Sequence, residues 1–231
     1  KKISSEIRTP TIASLARCVS SDIDSAWEAI KDARHPRIHV FIPSSDVQVM
    51  HQLRKNPEEV LEMAVASVER AKSYCDDVEF SPMDATRTDM EYLYKLVSAT
   101  IAAGATTINI PDTVGYTMPW EFADRINKIK QHVPEINDVV LSVHCHNDLG
   151  LSVANSLAAV AVGARQVEGC INGLGERAGN ASLEEVVMGI ATRKDLLGVS
   201  TRVDTRQIYR TSRMVSDITG FPVQANKAIV G

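Results

Sequence analysis

Val139-Val140-Leu141-Ser142-Val143-His144 is a short β-rich run, and Cys145-His146-Asn147-Asp148-Leu149-Gly150 carries it into an apolar helical stretch, Leu151–Val162, closed by Gly163. The same unit recurs on both sides. Further β-rich runs are Thr11–Arg17, Ile38–Pro43, Asp77–Ser81, Thr106–Pro111 and Arg165–Asn172. Most are followed by apolar residues at helical spacing, as in Ile23, Ala26, Trp27, Ile30 and Ala33. Asn56-Pro57-Glu58-Glu59 places a cap, a proline at the first helical position and an early acid before the stripe Val60, Leu61, Ala64, Val68 and Ala71. Thr88-x-x-Glu91 and Ser182-x-x-Glu185 read as capping boxes, and Thr117 with Pro119 opens a helix that turns Phe122, Ile126 and Ile129 inward.

Strand–helix alternation at about 30 residues per unit predicts a parallel sheet with right-handed crossovers, either an open doubly wound sheet or a (β/α)₈ barrel. Polar residues inside the strands (Glu79, Asn109, His144, Glu168) favour the barrel, because an open sheet covered on both faces takes cleaner Val/Ile/Leu runs. Six units are visible where a TIM barrel has eight, and residues 196–231 do not supply the missing pair, so the expectation is an α/β chain carrying about six units of a longer barrel. Residues 1–195 are expected to form this partial barrel. Residues 196–231, with a helix predicted over 205–219, read as a helical segment leading out of it toward an absent C-terminal region.

With 231 residues, 44% of them apolar, the chain can bury a substantial core. A net charge of −4 argues against a nucleic-acid surface, and no apolar run reaches the length of a membrane span. Cys18, Cys75, Cys145 and Cys170 are spread without a CxxC pair and read as reduced thiols of an intracellular protein.

Chemistry concentrates at predicted strand ends. His144 and His146 are two residues apart, so in an extended strand both imidazoles point to one side and could share a cation such as zinc, manganese, iron or nickel. Two ordinary polar residues at a strand end is the competing reading. Asn172-Gly173-Leu174-Gly175-Glu176-Arg177-Ala178-Gly179-Asn180 is a glycine-rich strand-to-helix turn. Its GxGxxxG spacing supports a phosphate loop weakly; it could equally let backbone approach a ligand while Asn180 offers an amide oxygen to a metal, or be a tight turn alone. Thr113 could donate to a carboxylate, and Asp112 could support a metal site or cap its loop. Glu79 and Asp84 are costly to bury without a cation or donors, and Arg17 or Arg87 could supply one. His39 reads as a satisfied core histidine, and His35, His51 and His132 as facing solvent.

His144-x-His146-Asn147-Asp148-x-Gly150 together with Asn172–Asn180 resembles the isopropylmalate/homocitrate synthase family of acyl-CoA condensing enzymes. The resemblance extends through Leu15-Ala16-Arg17-Cys18, Asp77–Ser81, Thr106–Tyr116, Ala164–Glu168 and Ala225–Gly231, and the Thr106–Tyr116 stretch points to the isopropylmalate branch. It implies a TIM barrel with a divalent metal ion (Mn, Mg or Zn) at the C-terminal face, held by His144, His146 and Asn180. It implies that Ser81 and Thr113 contact a 2-oxo acid, with Arg17 a further substrate-binding candidate and Glu79 the candidate catalytic carboxylate. The implied reaction is a Claisen condensation of acetyl-CoA with 3-methyl-2-oxobutanoate, then thioester hydrolysis, as in leucine biosynthesis. Citramalate, methylthioalkylmalate and homocitrate synthases are the near alternatives; a metal-binding or dimerising fragment and a hydroxymethylglutaryl-CoA lyase are the distant ones. A homodimer, a cytoplasmic location (or a plastid stroma), and no nucleic-acid or membrane partner are expected.

The chain departs from the family in three places. The Thr-Thr-Leu-Arg-Asp-Gly-Glu-Gln stretch that supplies an aspartate ligand and a substrate arginine on the family's first strand is not found, so the resemblance implies that the first two strands are missing; the downstream Ser-Gly-Ile-His segment is not found either. Met83 stands where many relatives carry glutamate, with Asp84 beside it. The expectation is a central segment of such an enzyme, inactive or nearly so by itself.

Overall fold

The computed structural model describes all residues, 1–231. Its main elements are β1 (Ile12–Arg17), α1 (Ser20–Ile30), β2 (Pro36–Pro43), α2 (Pro57–Lys72), β3 (Asp77–Met83), α3 (Met90–Ala102), β4 (Thr107–Asp112), α4 (Pro119–His132), β5 (Val140–Cys145), α5 (Ser152–Ala161), β6 (Gln166–Glu168), α6 (Leu183–Thr192) and α7 (Ile208–Thr219). The six strands lie in the order of the sequence, and β1 through β4 pair in parallel. A doubly wound sheet would step back past its first strand at a switch point. Monotonic order is that of a (β/α)₈ barrel, of which this is a part.

The chain forms two compact units, residues 1–111 with 128–142, and residues 112–127 with 143–231. In the first, strand parity divides packing from chemistry. Ile38, Val40, Ile42, Val78, Phe80, Ile108 and Ile110 occupy even positions and are almost wholly buried, as are Val60, Ala64 and Val68 of α2 and Leu93, Leu96 and Val97 of α3. Each large aliphatic or aromatic side chain so buried contributes about 1.5–3 kcal/mol. The odd positions of the same strands hold Arg37, His39, Asp77, Glu79, Ser81, Thr107 and Asn109, with the apolar Phe41, Pro43, Met83 and Pro111 toward the C-terminal ends. In the second unit Val143 and Cys145 of β5 are buried, and Ala181, Val186 and Ile190 pack with Val153, Leu157 and Val167.

Asn56 caps its helix as expected, and Glu59 makes the cap reciprocal, each side chain meeting the other's backbone N–H at 2.9 Å. The helix predicted after Thr88 is capped instead by Asp89, whose carboxylate accepts from the Tyr92 N–H at 3.0 Å. Thr88 is drawn inward, its hydroxyl donating to the Asp84 carbonyl and lying 2.7 Å from that of Ser44. Ser182 does stand before α6 but makes no cap bond, because its hydroxyl accepts from Lys227. The sixth strand is three residues rather than eight, as the chain leaves it for a 3₁₀ turn at Ile171–Gly173. The last helix starts at Ile208 after a 3₁₀ turn over Thr205–Gln207. No helix is long and apolar enough to cross a membrane.

Candidate metal centre

His144 is the penultimate residue of β5 and His146 follows its end, both on the face opposite Val143 and Cys145. Their Nε2 atoms lie 3.1 Å apart. Two nitrogens about 2.1 Å from one cation, at adjacent coordination positions, have about this separation. His144 Nδ1 faces Glu168 Oε2 at 2.9 Å, though not in line for a well-formed hydrogen bond. A carboxylate there favours the tautomer with its proton on Nδ1 and leaves the Nε2 lone pair for a ligand.

Asn180 is paired to His146 by an antiparallel bridge, with the Asn147 N–H donating to the Gly179 carbonyl beside it. Its amide nitrogen donates to Cys170 Sγ at 3.4 Å, while its Oδ1 is buried and has no hydrogen-bond partner. His146 Nδ1 is likewise buried and unpartnered. Buried polar atoms are rarely left so, and a site that must receive a ligand is one place where they are. Burial and the neighbouring His144 and Arg177 hold the His146 imidazole below its ordinary pKa, in the neutral form that binds metals. Two imidazoles and an amide oxygen are a donor set that suits a divalent cation.

The glycines serve this geometry. A Cβ on Gly175 would stand 2.7–2.8 Å from the Asn180 side-chain amide, and one on Gly179 would collide with the Gly173 carbonyl. The N–H groups of Gly173, Gly179 and Asn180 are spent on the carbonyls of Cys170, Glu176 and Gly173. They are therefore not turned outward as in a phosphate loop.

Around the histidines stands a scaffold whose pairings sequence reasoning did not single out, although Asp112 was among its candidates as a metal support or loop cap. Arg177 clamps Asp148 through two bonds of 2.8 and 2.9 Å and donates to the Thr113 carbonyl at 2.7 Å. Asp112, fully buried, accepts from the Thr117 hydroxyl (2.6 Å) and N–H and from Asn155, so it closes its own loop. Gly115 sits in that loop at φ 63°, where a Cβ would strike Asp148. Arg177 and Asp148 lay within the quoted motifs, but nothing in their spacing announces that they pair.

In the first unit, Ser81 Oγ lies 2.6 Å from His39 Nε2 and accepts from Asn109 at 2.9 Å. Glu79 is met by Arg37 at 3.2 Å, and Arg37 also holds Asp77 at 2.9 Å. The guanidinium partner of Glu79 is thus neither Arg17 nor Arg87. It was missed because β2 begins two residues earlier than its apolar run. Arg87 pairs with Asp84, which also accepts from Ser45. Arg17 ends β1 with its side chain largely exposed and bound to Asp22 at 2.6 Å. Thr113 directly follows β4. All four cysteines are free.

The strand order is that of part of a (β/α)₈ barrel, and the paired imidazoles stand at the C-terminal end of one of its strands, the end where barrels of this class carry their functional sites. The chain belongs to the HMGL-like family, whose model matches residues 1–215. Over all 231 residues it is 61% identical to the 2-isopropylmalate synthase of Syntrophus aciditrophicus (strain SB), spanning 45% of that protein. It is 56% identical to the 2-isopropylmalate synthase of Pyrococcus furiosus over 231 residues, spanning 46% of it. The chain therefore spans about half the length of the curated relatives it matches. The hydroxymethylglutaryl-CoA lyase of Pseudomonas aeruginosa shares the fold, with a TM-score of 0.76 at 20% identity over 96% of this chain and 75% of the lyase.

Proposed function

We propose that this chain carries the metal-binding part of a 2-isopropylmalate synthase, which condenses acetyl-CoA with 3-methyl-2-oxobutanoate and hydrolyses the thioester. The observation that carries this reading is the pair of facing imidazole nitrogens beside an unpartnered Asn180 oxygen, in a chain 54–61% identical to several such synthases. In it His144, His146 and Asn180 hold a divalent ion (Mn, Mg or Zn). Bound there, the ion would polarise the oxo group of the acceptor and stabilise the negative charge that develops on its oxygen.

The chain's own residues do the rest. Glu168 keeps the His144 Nε2 lone pair directed outward. The Ser81 hydroxyl, oriented by His39 and Asn109, and the Thr113 hydroxyl would donate to the oxo acid. Arg17 would meet a substrate carboxylate. Glu79 would serve as the catalytic carboxylate, with Arg37 donating to it at 3.2 Å. Residues 1–195 would supply the barrel part and 196–231 the segment that leaves it. A cytoplasmic homodimer (or one in a plastid stroma) is the setting implied by the same resemblance.

The test is release of free CoA from acetyl-CoA by a polypeptide of the relatives' length that contains this chain. Release that requires both a divalent metal and 3-methyl-2-oxobutanoate is expected. Faster release with pyruvate or 2-oxobutyrate would move the assignment to a sister synthase, where one or two methylenes are worth only ~1–3 kcal/mol of discrimination.

A further inference from the structure

Asn172 has a left-handed backbone, φ 61° and ψ 13°, at the entrance to the glycine-rich turn. For a residue with a Cβ this conformation persists only where its surroundings enforce it. Here its N–H and both polar atoms of its side chain are engaged. The Asn172 N–H donates to Glu184 Oε2 at 3.0 Å. Its side-chain amide donates to the Ser212 carbonyl at 3.0 Å and the Ser216 hydroxyl at 3.3 Å, and its Oδ1 accepts from the Ser212 hydroxyl at 2.6 Å. Both serines are on α7.

Glu184 is the second residue of α6 and is buried, an expensive place for a carboxylate without compensation. The compensation is Lys227, whose ammonium lies 3.5 Å from Glu184 Oε1 and donates to Ser182 at 2.9 Å and Glu185 at 2.5 Å. On the other side of Asn172 the connection to the metal centre is one residue long. The Gly173 carbonyl accepts from the Asn180 backbone N–H at 3.0 Å. A Cβ on Gly173 would stand 2.7 Å from the Ser182 hydroxyl, so this turn is seated directly on the residues that Lys227 grips.

We propose that Glu184 and Lys227, acting through Asn172, are positioning residues that hold the glycine-rich turn and so keep Asn180 opposite His146. The proposal rests on the metal reading of His144, His146 and Asn180. None of the three residues touches the ion. They set its affinity by fixing the turn, as outer-shell partners of ligands do elsewhere, where their loss costs about 10–100-fold in affinity.

The experiment is titration of a polypeptide of the relatives' length that contains this chain with manganous ion, followed by the EPR signal of the free ion, with thermal melting recorded on the same samples. Lys227→Met and Glu184→Gln are each expected to weaken binding by at least about tenfold at a temperature where both remain folded. Lys227→Arg, which keeps the charge, is expected to stay within about threefold of wild type, and combining Lys227→Met with Glu184→Gln to cost little more than either alone, as coupled residues do. If Lys227→Met does not fold, Asn172→Gly serves instead; it keeps the backbone conformation but releases α7, and a loss of at least about threefold is expected. Folded Lys227→Met or Asn172→Gly that binds manganese as wild type does would overturn the positioning role while leaving the metal centre standing. Wild type that binds no better than His144→Ala/His146→Ala would overturn the metal reading and this proposal with it.

Discussion

His144 and His146 present their Nε2 atoms to each other across 3.1 Å, because two residues along an extended strand return a side chain to the same face. Removing either imidazole leaves a site with too few donors. His144→Ala and His146→Ala are each expected to lower metal affinity by more than the ~10–100-fold typical of outer-shell losses, with little change in far-UV circular dichroism. Metal content after dialysis against a divalent ion reads this directly.

Gly175→Ala adds a methyl carbon 2.7–2.8 Å from the Asn180 amide and should displace it. Metal binding is expected to fall at least about tenfold, against a small change in stability. Gly198→Ala is the contrast. Its Cβ meets nothing within 4 Å, so only the cost of a left-handed residue, about 1–2 kcal/mol, should appear, and metal binding should be unchanged.

Phe80 is wholly buried on the packing face of β3. Phe80→Ala should destabilise the chain by about 3–5 kcal/mol, seen as a lower urea midpoint at constant slope. A slope that changed instead would indicate that the two compact units unfold separately.

Burial pushes the Cys18 and Cys145 thiols up to about 12. At pH 8 only about one such thiol in 10⁴ is ionised. Brief iodoacetamide treatment of the native chain should therefore leave both unmodified while all four cysteines react in urea, as peptide mass spectrometry would show.

The Asp24 carboxylate is held below its ordinary pKa by Arg70 first and Tyr74 second. A depressed carboxylate contributes stability above its unfolded pKa and loses that contribution as pH falls through the folded value. Asp24→Asn should narrow the difference between urea midpoints at pH 6 and pH 3, and by a small amount, since the pair is well exposed to solvent.

The alternation of strands and helices was legible because burial enforces it. Ile38, Val40 and Ile42, or Val60, Ala64 and Val68, repeat at the period of their element and end up in the core. The two histidines were legible for the same reason, through strand parity. What escaped were pairings set by tertiary register. Arg37 meets Glu79 because β2 and β3 place His39 opposite Glu79, and no local pattern states that register. Asp89 in place of Thr88 as a cap, and Ser182 diverted by Lys227, show a local preference yielding to a partner from far along the chain. The roles of Arg17, Ser81 and Thr113 came from family resemblance, since a hydroxyl or guanidinium at a strand end has no spacing that announces a substrate.

In β2, β3 and β4 the even-numbered Ile38, Val40, Ile42, Val78, Phe80, Ile108 and Ile110 pack, while the polar Arg37, His39, Glu79, Ser81, Thr107 and Asn109 alternate with them, and this has a bearing on what kinds of genetic change the chain can absorb. Replacing an odd-numbered residue such as Ser81 exchanges one interior polar group for another and leaves Val78 and Phe80 where they were. A single-codon insertion or deletion within a strand transposes the two sets, sending Glu79 into the hydrocarbon layer and Phe80 into the polar one. Variation in what these strands bind is therefore accessible by substitution, whereas length variation is confined to the loops between them.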